Sequence, residues 1–219
     1  MIIQSLLDLD FYKITMCQLA HNCFPNTIVE YAFKNRKSAI RLAEIIPIDR
    51  LRTEINSVKT LTLSNSQLDF LRKQEIFSED FLEYLYKINR SIPLSDVNIN
   101  VIDGQYDIHT TGPWPIAIFW ETIILSIVNE LYYESKYGSS FSYLKGLDKL
   151  SDKIKILKQY PGIKFSDFGT RRRASQNWQA LVVNKLKHTL SDTQFIGTSN
   201  VQLAMSYGLV PIGTFAHEL

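Results

Sequence analysis

Ile163-Lys164-Phe165-Ser166-Asp167-Phe168-Gly169-Thr170-Arg171-Arg172-Arg173 opens the part of the chain whose rhythm decides the fold. A short apolar run ends in a glycine, a hydroxyl and charges, and helical spacing follows over residues 174–187. The pattern returns at Gln194-Phe195-Ile196, followed by Gly197-Thr198-Ser199 and a short helical stretch from Asn200 to Tyr207. It returns again at Leu209–Ile212, followed by Gly213-Thr214-Phe215-Ala216-His217. Three βα units in succession predict a parallel sheet or barrel, whose loops after the strands converge on one mouth. A closed barrel of eight such units needs roughly 250 residues, so the expected barrel is incomplete, with an open edge after its last strand.

Upstream, the element types are mixed. Asp10 to Ala20 has helical spacing, with Phe11, Ile14 and Leu19 apolar and Asp10 placed as an N-cap. Thr27–Lys34 alternates Ile28, Glu30, Ala32 against Val29, Tyr31, Phe33, the period of a strand. Ser78 precedes Phe81, Leu82, Leu85 and Ile88, a capped amphipathic helix. Val97–Ile102 reads as a strand closed by the turn dipeptide Asp103-Gly104. Pro113 and Pro115 can start a helix running through Trp120 and Val128 to about Tyr133. The fold class expected is therefore α/β: a mixed α+β domain over residues 1–111, then a connecting core helix and a partial barrel over 112–219.

Composition sets the bounds. Of 219 residues, 45% are hydrophobic and 21% charged, which fits a packed core. With 24 Lys+Arg against 22 Asp+Glu, no global field favours nucleic acid or a membrane surface, so any anion site must be local. Cys17 and Cys23 match neither a redox pair nor a zinc pair, and both read as reduced thiols of a cytosolic protein. The N-terminus lacks the basic start of a signal peptide. The most apolar run, Pro113–Val128, is interrupted by Glu121 and falls short of the roughly 18 uncharged residues of a membrane span.

Three segments could carry chemistry. In Phe168–Arg173 a glycine permits close backbone approach and guanidinium forks suit a carboxylate or phosphate; the bland alternative is three solvated arginines. The hydroxyls of Thr198 and Ser199 read most simply as an N-cap for the helix that follows. His217 lies just past a strand end beside Glu218, whose carboxylate can orient the ring for proton transfer or nucleophilic work. His21, His109 and His188 read as structural.

Taken in order, LLDLDFYKITM at residues 6–16, VEYAFKNR at 29–36, FWETIILSIVNELYY at 119–133, FSDFGTRRR at 165–173, GTSNVQLA at 197–204 and GTFAHE at 213–218 resemble the landmarks of nicotinate phosphoribosyltransferases. The resemblance implies a reaction: nicotinate and phosphoribosyl pyrophosphate give nicotinate mononucleotide and pyrophosphate, coupled to ATP hydrolysis, as an entry step to NAD. It implies magnesium with both phosphorylated substrates, a homodimer in the complete protein, a cytoplasmic location, and neither nucleic acid nor membrane as partner. Catalysis would pass through a phosphohistidine at His217, assisted by Glu218.

The resemblance also assigns substrate-binding residues. Tyr12 and Phe168 correspond to aromatics on the two faces of the pyridine ring, the tyrosine commonly coming from the partner subunit. Gly169, Thr170 and Arg171 belong to the segment near the pyridine and the sugar, Thr198 and Ser199 to the second loop, and Thr214 to a hydroxyl near the nicotinate carboxylate. Nicotinamide-using relatives carry an aspartate at the position of Ser199, and a serine that donates there favours the acid. Family members run to nearly twice this length, so an inactive remnant that dimerises or binds a partner is the alternative. A quinolinate-using relative is disfavoured because the histidine of GTFAHE belongs to the ATP-coupled branch.

Overall fold

The chain opens with helix α1 (Phe11–Cys23), strand β1 (Ile28–Phe33) and four helices, α2 (Leu42–Ile45), α3 (Ile48–Val58), α4 (Asn65–Arg72) and α5 (Glu79–Lys87). Strands β2 (Asp96–Ile102) and β3 (Gln105–Pro113) lead into α6 (Trp114–Ala117) and the long α7 (Phe119–Tyr137). Helix α8 (Tyr143–Lys158), β4 (Phe165–Asp167), a 3₁₀ turn at Thr170–Arg172, α9 (Gln176–Thr189), β5 (Phe195–Thr198) and α10 (Val201–Tyr207) complete it. The structure is a computed structural model describing residues 1–88, 90, 96–138 and 143–214.

The first sheet is antiparallel in the order β1-β3-β2. The alternation in β1 holds, with Val29, Tyr31 and Phe33 turned inward and Ile28, Glu30 and Ala32 outward. Asp103 (φ 50°) and Gly104 (φ 74°) close the β2–β3 hairpin with both central residues left-handed. That is the two-residue turn whose twist matches antiparallel strands, and it explains why Asp-Gly stands there. On β3, Tyr106, Ile108 and Thr110 face the core.

Around this sheet, α4 is closed by a capping box between Ser64 and Gln67, and Ser78 caps α5 by accepting from Phe81 N–H at 3.3 Å. The proline-started helix extends to Tyr137, a little beyond expectation. Trp114–Tyr137 is long and apolar enough to cross a membrane, a length test that residues 113–128 alone did not meet. Most of its apolar side chains are nonetheless inside, with Trp120 and Ile127 at 0% exposure and Ile123 at 1%. It is the central helix of the first core, which also takes in Leu7, Leu9, Leu51, Ile55, Leu71, Phe81 and Leu85. Cys17 and Cys23 are both free thiols; Cys17 is buried and donates to the Pro115 carbonyl at 3.0 Å.

The second core is smaller. Leu150 and Ile154 of α8, Val183 and Leu186 of α9, Phe195 of β5 and Leu203 of α10 pack on one another. Strands β4 and β5 are parallel, as two βα units require. Among the described residues, the third predicted strand, Leu209–Ile212, is reduced to one bridge between Thr198 and Pro211, with Ile212 N–H donating to the Thr198 carbonyl at 2.9 Å. That approach fixes Gly197: at φ 149° an added Cβ would lie 2.2 Å from the Val210 carbonyl oxygen.

The two cores are tied by the N-terminal segment. Phe11 N–H donates to Ser199, Val201 N–H to Leu9, and Gln202 N–H to Leu7, all at backbone carbonyls. Beside this strap, Asp8 receives both terminal nitrogens of Arg173 at 2.6 and 2.7 Å, and both side chains are 1% exposed. Asn200 Nδ2 donates to the same carboxylate at 2.7 Å. Glu130 of α7 stands 3.6 Å from Arg173 Nε and accepts the Gln176 N–H at the start of α9. Burial pushes its carboxyl up to about 7, against the pull of Arg173.

Removing one partner of a buried ion pair strands the other. Asp8→Ala is expected to destabilise the chain by about 3–5 kcal/mol in urea unfolding, while a surface substitution such as Asp152→Ala leaves the midpoint nearly unchanged. Glu130 gives a pH signature. Its folded pKa of about 7 lies above the ordinary glutamate value of 4.5, so between these values the folded state binds more protons. Stability therefore falls as pH rises through this window, by on the order of 3 kcal/mol for this group. The unfolding free energy of the wild type minus that of Glu130→Gln is expected to fall by that amount as pH rises from 4.5 to 7, since glutamine stands in for the protonated carboxyl; a difference flat over this range would refute the assignment.

Candidate active site

The loops that leave β4 and β5 meet the start of α1. There Arg171 is held on two edges: its Nε lies 3.0 Å from Asp10 Oδ2, and its Nη1 donates to Glu121 Oε1 at 2.8 Å. Lys13 is fully buried and closes on Glu121 Oε2 as an ion pair. Ser199, also fully buried, donates its hydroxyl to Asp10 Oδ1 at 2.7 Å. Tyr12 is buried between the cations, its ring centroid 4.9 Å from Lys13 Nζ and 5.7 Å from the Arg171 guanidinium carbon. Burial raises the Asp10 carboxyl above the usual carboxylate range, opposed by the Ser199 hydroxyl and Arg171. Burial likewise raises the Tyr12 phenol.

The expected anion site has a different character in the folded chain. Gly169 and the arginines do not open a helix. They form a 3₁₀ turn, and α9 begins only at Gln176, behind the cap Ser175, whose hydroxyl accepts from Trp178 N–H. The anion at that helix start is the chain's own Glu130. Arg173 is spent on Asp8, Arg172 is exposed, and only Arg171 is half-buried at the converging loops. Gly169 is required by Asp167: an added Cβ would stand 2.9 Å from Oδ1, which accepts the Gly169 N–H at 3.1 Å.

Other expected roles shift in the same way. Asp10 occupies the N-cap position of α1 but makes no capping bond, because its carboxylate is turned to Ser199 and Arg171. The cap of α10 is Asn200, which accepts from Leu203 N–H at 3.0 Å, and not the hydroxyls of Thr198 or Ser199. Thr198 donates to Asp167 Oδ2 at 2.9 Å, and Thr170 accepts from Gln179 and Asn200. The Ser199 proton is already given to Asp10, so this serine is a support of the carboxylate and not an outward donor. Phe168 is 44% exposed, whereas Tyr12 is 4% exposed. Gly213 lies against Phe11 and the Tyr12 backbone, which brings exposed Thr214 to the same end of α1. His217 and Glu218 lie outside the described residues.

Sequence reasoning missed Lys13 and Glu121. Glu121 registered only as an interruption of an apolar run, and Lys13 only as part of a motif. The usable signal was the burial each pattern implied, since a charge on the apolar face of a core helix must have a partner. Asp10 was seen as a cap, and its real partners lie 161 and 189 positions further on, at Arg171 and Ser199. His21 stacks on Tyr84 at 4.2 Å, His109 bridges Glu30 and Asp107, and His188 bonds the Asn184 carbonyl, which are the structural roles expected of them.

Residues 7–129 match the model of the nicotinate phosphoribosyltransferase (NAPRTase) N-terminal domain, and residues 163–219 that of the nicotinate phosphoribosyltransferase (NAPRTase) family. The chain is 38% identical over 222 residues to a nicotinate phosphoribosyltransferase of Ralstonia pickettii (strain 12J), covering all of this chain and 56% of the relative. A second relative of that name, from Burkholderia mallei (strain ATCC 23344), is 38% identical over 224 residues, with 55% of it covered. The chain thus spans about half the length of the curated relatives it matches. Crystal structures of nicotinate phosphoribosyltransferases from Porphyromonas gingivalis (TM-score 0.84, 28% identity, 99% of this chain and 55% of that one) and Vibrio cholerae (0.84, 31%, 99% and 52%) superpose on it. With more than half of its residues in the first matched domain alone, this chain belongs to the nicotinate phosphoribosyltransferase family.

Proposed function

We propose that this chain provides the pyridine-handling part of an ATP-coupled nicotinate phosphoribosyltransferase. The reaction joins nicotinate to phosphoribosyl pyrophosphate in the first step of NAD salvage from nicotinate. The observation that carries the reading is the gathering of Asp10, Tyr12, Arg171 and Ser199, from three distant segments, at the loops after β4 and β5 in a chain of this family.

In this reading a ring nitrogen of His217 attacks the γ-phosphorus of ATP, and ADP leaves with the electrons of the broken P–O bond. Glu218 orients the imidazole and offsets its developing charge. The pyridine nitrogen of nicotinate then forms a bond to C1 of the ribose as pyrophosphate leaves with the C–O pair. Water hydrolyses the phosphohistidine to phosphate. Magnesium arrives as the counter-ion of ATP and of phosphoribosyl pyrophosphate. Tyr12, Phe168 and Thr214 line the pyridine's path, and the Gly169–Arg171 turn meets its negative groups. Ser199 acts on substrate choice through Asp10: an aspartate in its place would set two carboxylates against each other beside an anionic substrate. The complete protein is proposed to be a cytoplasmic homodimer. The alternative reading is an inactive remnant that dimerises or binds a partner.

The test uses the 219-residue chain with γ-labelled ATP, magnesium, labelled nicotinate and phosphoribosyl pyrophosphate. Acid-labile label on the protein, lost in His217→Ala, together with nicotinate mononucleotide, is the expected result; a folded chain that does neither is the remnant. Where nicotinate binding is measurable, Ser199→Asp is expected to weaken it on the order of a thousandfold, the cost of like charges in a partly dry pocket. Unchanged affinity would remove Ser199 from substrate choice.

A further inference from the structure

Arg171 is the half-buried arginine of the converging loops, and the chain spends two internal carboxylates on it. Asp10 takes Nε and Glu121 takes Nη1, which together block rotation about the Nε–Cζ bond. Glu121 is itself placed by Lys13, whose ammonium is fully buried on the other carboxylate oxygen. Among the described residues, these two cations and two carboxylates balance in formal charge, which offsets the cost of burying them. Among the described residues, Nη2 of Arg171 makes no hydrogen bond, and the side chain is 33% exposed. A guanidinium fixed on two sides and open on the third is a directional donor for a planar or tetrahedral anion.

We propose that Lys13 and Glu121 are positioning residues that lock the Arg171 guanidinium so that its open Nη2 edge meets an anionic group of the substrate. The proposal rests on the functional reading above only for the identity of that anion. Glu121 does not touch substrate; it acts through Arg171, and Lys13 acts through Glu121.

A first measurement needs no ligand. In ¹⁵N-resolved guanidinium spectra of the chain, the Nη signals of Arg171, assigned by their loss in Arg171→Lys, are expected to be resolved, as are those of Arg173. In Glu121→Gln the Arg171 signals are expected to average while those of Arg173, held by Asp8, stay resolved. Arg171 signals unchanged in a folded variant overturn the proposal.

The second measurement is nicotinate affinity. Glu121→Gln alone raises the local positive charge and would strengthen attraction for any anion. The charge-conserving pair Lys13→Met with Glu121→Gln is therefore used, and replacing a buried ion pair by neutral groups is often tolerated by the fold. The pair is expected to weaken nicotinate about tenfold with the unfolding midpoint nearly kept; a merely structural role would move the midpoint and leave affinity alone, and that outcome also overturns the proposal. If the wild-type chain captures no nicotinate, the functional reading falls, and the spectra still decide whether Glu121 fixes Arg171.

Discussion

Buried charge is the constraint on which the rest of this structure depends. The segment Asp8-Leu9-Asp10 carries two carboxylates into the interior, each 1–2% exposed, and neither finds a partner nearby in sequence. Asp8 is neutralised by Arg173 and Asp10 by Arg171 and Ser199. An isolated carboxylate at such depth would cost several kcal/mol, so these pairings dictate where the N-terminus must lie against the loops after β4 and β5. The backbone bonds of Leu7, Leu9 and Phe11 to the 199–202 segment follow from that placement.

Alternate residues therefore take different tasks. Arg173 is enclosed by Asp8, Gln179 and Glu130 and serves as an internal tie. Arg171, two positions earlier, pairs instead with Asp10 and Glu121 and is 33% exposed. The turn is fixed from α7: Ser126 donates to the Thr170 carbonyl at 3.0 Å and Asn129 to the Arg171 carbonyl at 2.8 Å. One helix thus supplies the central wall of the first core, the carboxylate that aims Arg171, and two donors that hold the backbone beneath it. A core helix that carries Glu121 in its first turn is how the fold couples packing to the arrangement of the site.

Much of the local structure was legible from the chain alone. The period of two in Val29–Phe33, the Asp103-Gly104 turn, the Ser78 cap and the proline-started helix are local effects of backbone sterics and hydrogen bonding, and each appears where the pattern placed it. The third strand was over-read: Leu209–Ile212 has a strand's composition, but a strand also needs a neighbour along its length, and among the described residues only Pro211 pairs. The arginine-rich loop was over-read too, because composition cannot say which guanidinium already has a carboxylate.

By itself, then, the sequence determined the elements with a strong local signature, such as α1, β1, α5, β2, the proline-started helix and β5, and, through the order of its motifs, the family to which they belong. Tertiary structure alone decided what the charged and hydroxyl side chains do. The contacts in question join residues as far apart as Asp8 with Asn200 and Lys13 with Glu121. Secondary-structure propensity acts over a few residues, whereas the desolvation of a charge is settled by whatever the fold brings within a few ångströms of it, and no local pattern encodes that partner.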